Sequence, residues 1–515
     1  MTNASAVFRS LIVYGLCLPL AACLGYLLAN PLDMTTMAVI GVVLLLLLAP
    51  LLLRWHHVWL IFTWNMTAVI FFLPGRPGVW MAMAAISLSI GIFQYALNRD
   101  LKFLYVPSVA VPLIFLTVVV LATAYLTGGI GLKAFGSAVY GGKNYVGIVA
   151  AVIAFFALTS RQIAPNHVMF YVPLFFLGTI VGVIGEFAWI LPSQFNFLYL
   201  VFPVMNMEAL AQQGTSVYVS TEEITRITGL CYPALGIFYA MLARYGIRGI
   251  FMGSKPWRLI VMVVMVGIGS LSGFRSIMIM FAMVFMVLFF MERLHRTQLL
   301  PIFAVVGLLA GVLMVPFANR LPFTIQRSLA FLPIDIEPAA RISAQVSSDW
   351  RVQMWKDVLP EIPKHLLLGK GYGFSGREQE MLFITGDSSA AVATMAGDYH
   401  NGPLSVIIPF GLFGAFGFCW FLWGGFHVVY HNYKFGDPAY RQANTFLFAY
   451  YFAKVIFFFV IFGAMVADLL TFAGLVGLSI SLNGGVAKPA VVAPQPKVVF
   501  NQLRLHPSAR RPVGA

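Results

Sequence analysis

Long apolar stretches recur from Leu11 to Leu482, each close to the ~20 residues that a bilayer core requires. No other feature constrains the fold as strongly. Inside hydrocarbon every backbone N–H and C=O must be bonded within the chain, so only helices or a closed barrel can span it. The runs are continuous rather than alternating, which selects helices. Composition agrees, with 60% of the 515 residues hydrophobic and 10% charged, against about 25% charged in a soluble protein. The fold class expected is all-α: a polytopic transmembrane helical bundle of about 12–14 spans.

Fourteen spans are expected, at 10–29, 35–53, 58–73, 78–96, 107–127, 145–160, 167–188, 230–243, 259–272, 274–291, 299–318, 404–426, 443–465 and 466–482. The block from Leu259 to Met291 is broken by "GSLSGFRS" (Gly269 to Ser276), which reads as the tip of a hairpin. The organisation that follows has N-terminal spans over 1–188 and central spans over 189–318, with an outer segment at 189–229. A large hydrophilic loop at 319–403 is followed by C-terminal spans over 404–482 and a basic, disordered tail at 483–515. The stretch "SSDWRVQMWKDVL" (Ser347 to Leu359) gives the large loop helical character, and a loop of this length is usually functional.

The formal net charge of +14 is not a nucleic-acid signal, because it is distributed by side. With the N-terminus in the cytoplasm, short inner loops carry thirteen Lys and Arg residues and short outer loops five, as the positive-inside rule requires. The large loop and its neighbours then face outwards, and both termini are cytoplasmic. Cys17, Cys23, Cys231 and Cys419 lie in or beside apolar runs without a CxxC spacing, so neither zinc nor a disulfide framework is implied. "LAAC" (Leu20 to Cys23) is read as part of an uncleaved first span, since hydrophobicity continues through Leu28.

That orientation gathers Arg226, Arg275, Arg351 and His400 on one side of the membrane. Arginine is permanently charged and offers a planar fork matched to phosphate oxygens. A neutral histidine can accept a hydroxyl proton. Together they suit transfer of a group away from a diphosphate towards an alcohol. The plainer readings are snorkelling for Arg226 and Arg275, a helix-surface ion pair for Arg351, and an interfacial loop residue for His400. "GKGYG" (Gly369 to Gly373) reads as a turn, Asp335 with Glu337 as a weak cation signal, and Lys454 as an intramembrane cation in need of a partner.

The combination is more informative than its parts. Arg351, Trp355 four residues on, Pro363, "GKGYG" and then "HNGPLSVIIPFGLFG" (His400 to Gly414) resemble the signature of the bacterial O-antigen ligase and polymerase superfamily. His400, Asn401, Leu404, Gly411 and Gly414 fill its histidine–polar–leucine–glycine positions. "RITGLCYP" resembles its arginine–glycine–proline segment through Arg226, Gly229 and Pro233, and "SLSGFRS" its serine–arginine span start through Ser272 and Arg275. The resemblance covers roughly residues 220 to 420. Gly273 and Phe274 depart from it by separating Ser272 from Arg275, and "CYP" departs from its usual asparagine–proline neighbourhood.

The resemblance implies a GT-C-like membrane glycosyltransferase of the bacterial inner membrane, working on the periplasmic face without a cofactor or metal and inverting the anomeric centre. Its donor would be a glycan on undecaprenyl diphosphate. Its acceptor would be lipid A-core for a ligase of lipopolysaccharide biosynthesis, or another glycan for an O-antigen or exopolysaccharide polymerase. His400 would be the base, Arg351, Arg275 and Arg226 the diphosphate ligands, and Asn401 and Trp355 supporting residues, with Asn401 also suited to capping the next helix. A lipid-linked glycan flippase is the rival of another class. It should show two related halves and charge in a central cavity, whereas this chain concentrates polar residues in one outer loop.

Overall fold

The computed structural model describes residues 14–15, 17–23, 25, 34–98, 102–131, 139–204, 228–375, 380 and 397–489. Its helices follow the apolar runs. They are α1 (Met34–Thr63), α2 (Val79–Leu97), α3 (Pro107–Leu126), α4 (Gly142–Thr159) and α5 (Val168–Leu177), the last prolonged by short helical turns to Phe187. Then come α6 (Cys231–Phe251), α7 (Trp257–Leu271), α8 (Arg275–Met291) and α9 (Leu299–Phe317). The large loop contributes α10 (Phe323–Leu329) and α11 (Pro338–Val358), and α12 (Gly402–Phe435), α13 (Arg441–Val460) and α14 (Met465–Asn483) complete the bundle. A two-residue antiparallel ladder pairs β1 (Val139–Tyr140) with β2 (Phe374–Ser375).

Among the described residues ten helices are long and apolar enough to cross a membrane, and α7 and α8 are shorter apolar helices. The protein is a multi-pass all-α membrane protein. Most of the expected first span, 10–29, and the tail beyond 489 lie outside the described residues. The span expected at 35–53 and the first part of the one expected at 58–73 run together as one helix, α1, with Pro50 inside it; α1 ends at Thr63, and residues 64–73 are not helical. The break expected at 54–57 does not form because its histidines find partners within the bundle. His56 Nδ1 shares a hydrogen bond with Ser87 Oγ at 2.8 Å, and His57 Nε2 lies 2.9 Å from the Leu158 carbonyl.

One end of the bundle joins Glu292 to the backbone N–H groups of Ile247 and Arg248, Asn444 to Asn483, and Asn432 to Ser479. These side-chain bonds tie helices together where lipid offers no competing water. The opposite end gathers the start of α8, the loop helix α11, the start of α12 and the α13–α14 turn. Burial separates inner from outer helices: 78% of the α14 window is buried, against 6% of the window spanning α9. In α14 apolar residues pack on every side, while α9 presents its side chains to lipid.

Candidate functional site

Helix α11 is built to lie on the end of the bundle. Met354 and Val358, four residues apart, share one face and are buried with Tyr399, Leu404 and Ile408, with Trp350 and Trp355 packed against them. Ala340 and Ala344 are buried further back along the helix. The Trp355 indole N–H also donates to the Tyr399 carbonyl at 2.8 Å. This docking brings Arg351 and Trp350 to the residue that follows Tyr399, which is His400.

His400 adopts a left-handed backbone, φ 50°, a conformation uncommon outside glycine and costing of the order of 1–3 kcal/mol. One oxygen holds it there. Asp398 Oδ1 accepts the His400 backbone N–H at 2.9 Å and lies 3.0 Å from the ring Nδ1. A carboxylate can only accept, so Nδ1 carries the proton in this contact and Nε2 is left as the basic nitrogen. The ring is flanked by Trp350 at 5.4 Å and Phe462 at 5.2 Å between centroids. Asn401 caps α12, its side-chain oxygen accepting the Leu404 N–H at 3.1 Å.

Two arginines complete this cluster. Arg275 occupies the first turn of α8, and its guanidinium approaches the Ala344 carbonyl of α11 at 3.5 Å. Burial lowers the Arg351 pKa from the usual arginine range; repulsion from Arg275 lowers it further, and Asp398 opposes both. Arginine nonetheless stays charged at any physiological pH. Arg351 Nε is buried with no hydrogen-bond partner among the described residues. Among the described residues the local balance is two guanidiniums against one carboxylate that is already engaged by His400, an excess of positive charge beside a basic nitrogen. Such a place favours an anion with several oxygens.

Arg226 lies outside the described residues. Ser272 is fully buried and donates to the Gly269 carbonyl, closing the end of α7 rather than facing the cluster. Four of the five "GKGYG" amides are engaged, beginning with the Gly369 N–H on the His365 carbonyl at 2.9 Å. The Lys370 and Gly371 N–H groups bond the Ile408 and Pro409 carbonyls, and the Tyr372 N–H bonds the Tyr145 hydroxyl. Gly411, φ 60° and ψ −157°, breaks α12 so that this loop can enter the break. A Cβ on Gly369 or Gly411 would strike the opposing backbone, which explains glycine at both positions. Asp335 and Glu337 border a separate cavity of about 410 Å³ with Asn319 and Arg320, and neither contacts the histidine cluster in any described interaction.

Sequence reasoning passed over Asp398, Trp350 and Phe462. The acid two residues before the histidine in "GDYH" was the available signal. Trp350 and Phe462 carried none, since their contacts with His400 arise only from folding. Lys454, left without a partner in the sequence, is paired with Asp468 of α14 at 2.6 Å. The other Asp468 oxygen accepts the Ala464 N–H at 2.8 Å and pins the turn that presents Phe462.

Fold and site define a class: a multi-pass helical membrane protein with an anion-seeking, histidine-bearing cluster at one end of its bundle. Residues 234–419 match the family described as O-antigen ligase, a stretch that includes Arg275, Arg351, Trp355, His400 and Asn401. That match supports the resemblance to the O-antigen ligase and polymerase superfamily over this part of the chain. No curated protein matches the chain.

Proposed function

We propose that this protein moves a glycan from undecaprenyl diphosphate to an acceptor hydroxyl on the periplasmic face of the bacterial inner membrane. The termini would be cytoplasmic, and the large loop would close over the donor. The observation that carries the reading is the Asp398-held His400 beside two guanidiniums that form no salt bridge with a carboxylate among the described residues. His400 Nε2 takes the acceptor hydroxyl proton as the acceptor oxygen bonds to the anomeric carbon. The bond from that carbon to the diphosphate oxygen breaks, and the departing diphosphate keeps the electron pair. A single displacement of this kind inverts the anomeric centre.

Charge builds on the leaving diphosphate, so Arg351 and Arg275 act where stabilisation counts most, and Arg226 is proposed to assist. Their two permanent charges supply what a divalent ion would otherwise provide. Trp355 holds the loop helix on Tyr399, and Asn401 starts α12 immediately after the histidine. Both are supporting roles.

The reading preferred is a ligase with lipid A-core as acceptor, and the match to a family described as O-antigen ligase supports it. A polymerase would use the same donor grip, and the glycans of a deletion strain separate the two. Long chains stranded on the carrier indicate a ligase; single unpolymerised units indicate a polymerase. In reconstituted transfer assays, His400→Ala and Arg351→Ala should each reduce turnover about 10²–10⁴-fold, the range for a general base or a leaving-group stabiliser. Both variants should remain folded in the membrane. Near-normal transfer by both would remove the mechanism.

A further inference from the structure

The end of the bundle opposite His400 holds a cavity of about 550 Å³, within the ordinary range for small-ligand sites. Arg54 and Trp55 of α1 line it from one side, and Arg161 from the α4–α5 turn lines it from the other. His57, His167 and Tyr171 also contribute to the wall. We propose that this cavity is a second anion site, taking the phosphate headgroup of a membrane lipid.

Charge is the first argument. Two guanidiniums from elements about a hundred residues apart in sequence border one cavity, no Asp or Glu lines it, and neither arginine forms a salt bridge among the described residues. An empty site of this composition is left with repulsion that a phosphate would relieve.

Rigidity is the second argument. The Arg161 carbonyl accepts the Ser481 hydroxyl, and the Ile163 N–H donates to the Ser481 carbonyl at 2.8 Å, so the turn is fixed to α14. His57 is fixed by its contact with the Leu158 carbonyl. The His167 and Tyr171 rings stack, 5.3 Å between centroids and 6° between planes. The backbone that carries Arg161 is thus set against α14, so the cavity wall need not be assembled when a ligand binds.

Shape is the third. Trp55 and Phe170 border the cavity and are exposed by 47% and 53%. Phe170 lies in the first turn of α5, where aromatic residues settle at the headgroup level, and Trp55 stands beside Arg54 within α1. A ligand with a phosphate at the back and acyl chains passing these rings fits both features. A soluble phosphate uses only the first.

The test does not depend on glycan transfer. Full-length protein is equilibrated in vesicles of equal phosphatidylglycerol and phosphatidylethanolamine, extracted gently, and examined by native mass spectrometry. Wild type should retain phosphatidylglycerol at least tenfold over phosphatidylethanolamine, and Arg54→Gln/Arg161→Gln should bring that ratio to about one. Arg54→Glu alone, at an exposed position, should give the same loss if the double variant fails to fold. Retention without lipid preference, or an unchanged ratio in a folded variant, overturns the proposal. Inorganic phosphate in detergent is the second arm. A wild-type thermal shift at low millimolar phosphate that the variants lack would assign the site to a soluble phosphate and overturn the lipid reading. Transfer activity of the folded variants should equal wild type, because these residues lie at the far end from His400.

Discussion

Two charged clusters among the described residues are handled in opposite ways. Lys454 and Asp468 form a closed pair: the contact is 2.6 Å, the side chains are 14% and 5% exposed, and the second carboxylate oxygen is taken by the Ala464 N–H. Around His400 the charges do not close. Arg351 and Arg275 repel each other, Asp398 is engaged by the histidine, and Arg351 Nε is buried without a partner among the described residues. Desolvating ions costs several kcal/mol each unless geometry compensates. A closed pair recovers that cost in the folded protein alone, whereas an open cluster recovers it when an anion arrives.

Replacement should expose the contrast. Arg351→Ala, which is expected to remove transfer, should leave the thermal midpoint unchanged or raised, because an unsatisfied cation has been taken away. Lys454→Met should do the reverse, lowering stability in detergent by about 3–5 kcal/mol by stranding the Asp468 carboxylate. Lys454→Met/Asp468→Leu should recover most of that loss. If Lys454→Met instead left stability untouched and removed transfer, the pair would belong to the reacting site and the comparison would fail.

Smaller effects sharpen the picture within the open cluster. Asp398→Asn keeps a side chain of the same shape but removes the carboxylate that fixes the Nδ1–H form of His400. Turnover should fall of the order of 10–100-fold, as it does when a partner that orients a functional histidine is replaced, with little change in donor affinity. A purely structural Asp398 would show lost stability with normal turnover per folded molecule. The smallest effect is expected at Asn401, whose side chain caps α12. Asn401→Ala should cost about 1 kcal/mol of stability, and transfer normalised to folded protein should hold. A tenfold loss there would move Asn401 from the cap into the chemistry.

The helix in the large loop was legible in "SSDWRVQMWKDVL", but it extends further back, to Pro338. The earlier residues of α11, "PAARISAQV", mix small, apolar and charged types, and Ala340 and Ala344 reveal their role only when packed. The hairpin break at "GSLSGFRS" was legible because glycine and polar residues interrupt an otherwise unbroken apolar block. The continuity of α1 was not, since His56 and His57 read as a break until Ser87 and Leu158 supply their partners.

What the sequence determined by itself was the all-α, multi-pass character and the residue types at the site, because lipid leaves a backbone few solutions and arginine and histidine carry their chemistry with them. Tertiary structure alone decided that Arg275 and Arg351 converge on one histidine, that Asp398 selects its nitrogen, and that Lys454 is closed off by Asp468. Each of these is a meeting of helices, and short sequence windows record which faces are apolar but not which faces meet.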